Sequence, residues 1–204
     1  MLSFLPKKKG DTMTEQTKFN GVHVNQLVDT IDAIKGNPGL AKFKFRAINH
    51  WIEGGHSRTK IKSFYGAGQE DSSRTEPFIL EGDEPPVLLG ENKAPNAVET
   101  VLHALASCIA VGFVYNAAAQ GIKVEELEMD LEGDLDLHGF LGLSENVRPG
   151  FENIQLNYYV KADASEEKIK ELCSYVQKTS PVLDIIRNPV PVSVNMVKME
   201  PVEK

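Results

Sequence analysis

Cysteine is scarce in this chain: 204 residues carry two, Cys108 and Cys173. No CxxC occurs, and no Cys or His pair has metal-ligand spacing, so neither a disulfide scaffold nor a zinc site is expected. His50 and His56 flank a turn and lack the spacing of one helical face. No metal or cofactor motif is read, and a reducing compartment is implied. Long apolar runs are missing, and none reaches the length of a membrane span. The opening "MLSFLPKKKGDTMTEQ" sets a short apolar run before its lysines, the reverse of a signal peptide. Met13 offers a second start, and residues 1–18 are expected to form a flexible tail. Positive charge is also short: 22 Lys and Arg face 29 Asp and Glu, a formal net charge of −7. That balance gives no electrostatic reason for a nucleic-acid partner. The expectation is one cytoplasmic domain over residues 19–204, with no membrane partner.

What is present reads as an α+β alternation. "NQLVDTIDAIKG" predicts a helix with Leu27, Val28, Ile31 and Ile34 on one face, Asn25 as cap and Gly36 as stop. "FKFRAINHWI" and "TKIKSFY" predict strands joined by a turn at Gly54-Gly55, and "PFILEG" a third. "GAGQEDSSRTE" (66–76) and "HGFLGLSENVRPG" (138–150) read as loops able to lid or reshape a pocket, and "FLGL" in the second either docks over an opening or makes a satellite core contact. A long helix spans Ala97 to Gln120, with Asn96 and Glu99 spaced as a capping box and Gly121 as its end. "KVEELEMDLEGDLDL" alternates apolar and acidic residues and predicts a half-exposed strand; "FENIQLNYYVKAD" predicts another. A second helix is expected from an Asp163 cap, with Glu166 at its third position and Ile169, Leu172, Cys173 and Val176 on one face. "VPVSVNMVKM" predicts a closing strand.

The long helix carries the candidate thiol. Val101, Leu105, Cys108 and Gly112 fall on one stripe, amid Ala104, Ala106 and Ala110. So many small residues let another backbone approach closely, for instance a second copy across a dimer axis. Cys108 is either a reactive thiol, which needs a lowered pKa and access, or inert packing. Cys173 completes an apolar face and reads as packing. Glu99 and His103, four apart, share a face as an ion pair, or as a cap and a surface contact. Glu99 and Cys108 are about half a turn out of phase and about 13 Å apart along an ideal axis, so one straight helix cannot join them.

"APNAVETVLHALASC" resembles the helix signature of the OsmC/Ohr family, the osmotically inducible and organic-hydroperoxide-resistance proteins, and "SPVLDIIRNPVPVSV" resembles its C-terminal element. The resemblance covers about residues 40–200. It implies an OsmC-like fold: an intertwined homodimer whose two long central helices are wrapped by antiparallel-rich sheets. It also implies reduction of organic hydroperoxides by a cysteine pair, with an external thiol as final reductant. By this resemblance Cys108 takes the attacking position, Arg58 in "GGHSR" holds the thiolate, and Glu99 orients the arginine. Hydroperoxide-reducing members place the glutamate one residue earlier, where this chain has Val98, and Arg46 is the second-choice arginine.

The resemblance breaks at the second thiol. The family's Cys-Pro pair is Ser180-Pro181 here, and a hydroxyl cannot close a disulfide. Cys173, about two helical turns earlier, is placed by its apolar face for packing rather than for resolving. Two expectations follow. One is a one-cysteine peroxidase. The other is a non-catalytic protein of the same fold that binds a small apolar ligand at its dimer interface.

Overall fold

The computed structural model describes residues 18–198. Residues 1–17 of the expected tail, including Met13, lie outside them, and Lys18 begins the first strand. Strands β1 (Lys18–Phe19) and β2 (Val22–His23) form a small hairpin whose turn sets Asn20 and Gly21 at positive φ. The Asn20 amide donates to the Ile122 carbonyl at 2.8 Å and accepts the Val124 N–H at 3.0 Å, tying this hairpin to a corner 100 residues away. Helix α1 (Val24–Gly36) follows directly. Its N-cap is His23, not the expected Asn25, because the strand runs into the helix without a linker.

Strands β3 (Ile48–Glu53), β4 (His56–Ile61) and β7 (Phe78–Gly82) make an antiparallel sheet in the order β3–β4–β7. The β3–β4 turn needs a left-handed residue at Gly54, φ +50°, a conformation glycine adopts at little cost. Two expected strands are shorter than read. "TKIKSFY" breaks at Lys62–Ser63 into β4 and β5 (Phe64–Gly66), and β5 turns back into β6 (Gln69–Asp71). The start of the expected 66–76 loop is therefore a hairpin. Residues 43–47 stay outside β3 because Phe43 and Phe45 stack on Phe64, with ring centroids 5.5 to 6.2 Å apart. Arg74 reaches back to cover Phe64 and Phe78 at 5.1 and 5.0 Å.

Helix α2 (Ala97–Ala119) is the axis of the molecule, and its predicted ends hold. Asn96 Oδ1 accepts the Glu99 N–H at 2.9 Å, and Glu99 Oε2 accepts the Asn96 N–H at 2.8 Å, completing the capping box. Leu105, Ile109, Phe113 and Ala117, each one turn after the last, form its buried seam, with Phe113 0% exposed. By length and composition α2 is long and apolar enough to cross a membrane, which corrects the expectation that no run here is. In this fold its seam is packed as core.

That seam meets the apolar face of a long hairpin, β8 (Val124–Asp134) with β9 (Asn153–Ala162). Leu127, Met129 and Leu131 on β8 and Ile154, Leu156, Tyr158 and Val160 on β9 face the helix, and the alternating acidic residues of β8 face out. Between the strands lies a one-turn helix, α3 (Leu137–Phe140), which leaves Phe140, Leu141 and Leu143 exposed rather than docked.

Helix α4 (Glu166–Thr179) closes the core with Leu172 and Val176. Its cap is Ser165, whose hydroxyl accepts the Lys168 N–H, and not Asp163. The Asp163 N–H is spent on the Lys123 carbonyl, which extends the hairpin pairing past its last strand residue. A Cβ on Gly112 would sit 3.0 Å from Val176, so at this position the small stripe of α2 receives α4 of the same chain. Ser180 ends α4 and caps α5 (Pro181–Arg187). The expected closing strand is missing among the described residues: 189–198 form no strand, and Val194 is 90% exposed.

Candidate functional site

Cys108 sits on α2 where α4 hands over to α5, and this junction places Ser180 beside it. The Cys108 Sγ to Ser180 Oγ distance is 3.1 Å. Ser180 is 5% exposed, and its hydroxyl also accepts the Leu183 N–H at 3.2 Å as the α5 cap. The thiol is half-buried. The residue expected only as a missing second cysteine is thus the immediate neighbour of the first. The sequence marked the position, but not the contact, which exists only because α5 folds back on α2.

Cys173 is turned elsewhere. It packs against the β8–β9 side of the core, where burial pushes its thiol above the ordinary range. Nearby Tyr158 is pushed up to about 12, first by burial and then by the Cys173 charge. Its hydroxyl is buried and has no hydrogen-bond partner among the described residues. A thiol in that setting resists becoming a nucleophile.

Beside Cys108 lies a cavity of about 460 Å³. Val101, Leu105 and Ile109 of α2 form one wall, Leu156 and Tyr158 of β9 the floor, and Leu183 and Ile186 of α5 the far side. Cys108 is next to this wall rather than in it. Arg148, from the 138–150 loop, Glu152, and Arg187, at the end of α5, line it as well. The 66–76 loop takes no part in it.

The other expected site residues gather on the opposite face of α2. Arg58 on β4 and Glu81 on β7 are directly paired across the sheet, with Nε donating to Oε1 at 2.7 Å. His56, two residues along the same strand face, meets Glu81 Oε2 at 2.9 Å. The Arg58 bond first, and the His56 bond after it, hold the Glu81 carboxyl below the usual range. Glu81 was not foreseen; its link to Arg58 depends on a strand pairing that no local pattern announces. Glu81 also borders an open cleft of about 380 Å³ with Pro95, Glu99, Thr100 and His103. Glu99 therefore shares a cleft with the carboxylate that holds Arg58, and not with Cys108. Among the described residues no Glu99–His103 ion pair forms, because the Glu99 carboxylate closes the capping box. Arg46 is bound in a two-pronged pair with Glu70 at 2.8 Å, away from this cleft.

The loop into α2 is fixed by a second unforeseen carboxylate. Asp83, 3% exposed, accepts the N–H groups of Lys93, Glu84 and Glu91 at 2.8 to 3.2 Å. These bonds hold its carboxyl below the ordinary range. They fix the path of 84–95 and so the start of the helix that carries both faces.

Comparison with known proteins gives the same architecture. The structure is similar to that of an OsmC-like protein from Mycoplasma pneumoniae, with a TM-score of 0.56 and 19% identity over 72% of this chain and 89% of that one. It is also similar to a protein from Psychrobacter arcticus assigned to osmotic-stress induction and the detoxification response, with a TM-score of 0.50 and 13% identity over 70% and 88%. At these identities the likeness is one of fold. No curated protein matches the chain. Residues 90–195, from the loop before α2 through α5 and into the exposed final segment, match the sequence pattern described as OsmC-like protein, and the chain belongs to that family.

Proposed function

We propose that this protein is a cytoplasmic homodimer that reduces organic hydroperoxides with a single cysteine, Cys108, and an external thiol. The observation that carries the reading is the half-buried Cys108 thiol, hydrogen-bonded at 3.1 Å beside a cavity with an apolar helix wall and arginines in its lining. The Cys108 thiolate attacks one peroxide oxygen. An S–O bond forms and the O–O bond breaks, and its electron pair leaves on the alkoxide, which takes a proton from solvent to become the alcohol. The sulfur, oxidised by two electrons, is left as a sulfenic acid. One external thiol condenses with it, releasing water and forming a mixed disulfide. A second thiol frees Cys108 and departs as the oxidised disulfide.

Two features support a dimer. Each chain carries the thiol on one face of α2 and the Glu81–Arg58 pair with Glu99 on the other, so only a second copy can bring that arginine and Glu99 to the sulfur. The β3–β4–β7 sheet exposes Ile48, Trp51, Phe78 and Ile79, and Trp51 is 73% exposed. The final segment exposes Val190, Val192, Val194 and Met196 at period two, the pattern of a strand awaiting a sheet edge.

The test is hydroperoxide consumption, with cumene hydroperoxide and a dithiol, by the parent, Cys108→Ser and Cys173→Ser. We expect Cys108→Ser to lose at least a hundredfold in rate with its fold intact, and Cys173→Ser to keep the parent rate. A folded parent no faster than Cys108→Ser would replace this reading with a non-catalytic binder of a small apolar ligand.

A further inference from the structure

We infer that the Ser180 hydroxyl is a catalytic group that donates its proton in a hydrogen bond to the Cys108 thiolate, doing from within the chain part of the work of a cation. The inference rests on the hydroperoxide reading above. It follows from counting what one hydroxyl can do. Ser180 Oγ has one proton and two lone pairs, and one lone pair is taken by the Leu183 N–H at 3.2 Å. Among the described residues its other partner is the Cys108 sulfur at 3.1 Å. While the sulfur holds its proton, either group can donate. Once the sulfur is ionised only the hydroxyl can, and such a bond favours the charged form. At 5% exposure Ser180 is shielded from water that would otherwise compete for that proton. The Leu183 bond keeps the oxygen in place, so the hydrogen bond is made without ordering a loose side chain.

The same placement decides the fate of the oxidised sulfur. A hydroxyl at this distance cannot displace water from a sulfenic acid to make a disulfide. The oxidised sulfur therefore waits for an outside thiol, whereas a thiol at position 180 would capture it at once.

The experiment measures the alkylation rate of Cys108 against pH, in the Cys173→Ser background, for the parent and for Ser180→Ala, Ser180→Gly and Ser180→Thr. Glycine keeps most of the capping preference and alanine does not, while both lose the hydroxyl. We expect alanine and glycine to move the midpoint upward by about one pH unit, and Ser180→Thr to stay near the parent. Hydroperoxide consumption at neutral pH should fall about tenfold in the first two. Unmoved midpoints in both would overturn the inference. So would a shift seen in alanine alone and matched by a loss of melting temperature, since that is the signature of a cap. A moved midpoint in a protein that consumes no hydroperoxide would sink the peroxidase reading and leave the hydrogen bond standing. A second arm treats Ser180→Cys with one equivalent of hydroperoxide. We expect a product two hydrogens lighter, with a bond between the new thiol and Cys108, where the parent gives a sulfenic acid trapped by dimedone. A trappable sulfenic acid in both would show that position 180 does not face the reacting sulfur.

Discussion

Ser180, Tyr158 and Asp83 show how differently a buried polar atom can be placed. Ser180 caps a helix and touches the thiol. Tyr158 has a buried hydroxyl with no partner among the described residues, and burying such a group costs about 1–3 kcal/mol. Tyr158→Phe should therefore stabilise the protein by about 1 kcal/mol in urea unfolding, and a loss of stability would reveal a partner for the hydroxyl. The same residue sets an alkaline limit. Its folded pKa is pushed up from 10.0 to about 12, so its contribution is complete below pH 10 and lost as pH rises toward 12. The fall in stability over that window should be shallower in Tyr158→Phe than in the parent. Asp83 acts with the opposite sign. Three N–H donors hold its carboxyl below the ordinary range, so its contribution is present above that range and lost as acid protonates it. Amide exchange at Glu84, Glu91 and Lys93 should lose protection on acidification, and Asp83→Asn should show that loss already at neutral pH.

At the scale of elements, the start of α2 separates structure from chemistry within one side chain. Glu99 closes the capping box, a structural role that glutamine can also fill. Glu99→Gln should keep the melting temperature within a few degrees of the parent. If its charge positions the arginine of a second copy, the same variant should lower hydroperoxide consumption about tenfold, and an unchanged rate would reduce Glu99 to a cap. The two ends of α2, the face of α4 and the alternation of β8 were all legible, because each is written in contiguous residues. The cap of α4 was not, since Asp163 and Ser165 are both good caps and pairing of Asp163 with Lys123 across the hairpin decided between them. The break between β4 and β5 was hidden for the same reason: it answers to the stacking of Phe43, Phe45 and Phe64, residues about 20 apart.

The whole molecule is packed on one side only. The core of α2, α4 and the β8–β9 hairpin is closed, with Phe113 and Val176 fully buried. The β3–β4–β7 sheet and the final segment leave apolar residues uncovered. If two copies cover them, sedimentation should give twice 22.5 kDa at micromolar concentration. Trp51→Glu combined with Val194→Asp should weaken that association and lower hydroperoxide consumption together. A monomer that retains full activity would mean that one chain holds a complete site.

By itself the sequence determined the α+β class, the length and capping of α2, the faces of the helices and the position of the thiol, since capping and periodicity act between residues a few places apart. The tertiary structure alone decided which groups meet. Position 180 reaches Cys108 because α5 turns back on α2, and Arg58 is held by Glu81 because β4 pairs with β7. Glu99 and Cys108 face opposite ways because one helix cannot turn both inward. Each of these contacts joins residues far apart in the chain, and only packing brings them within a bond's length.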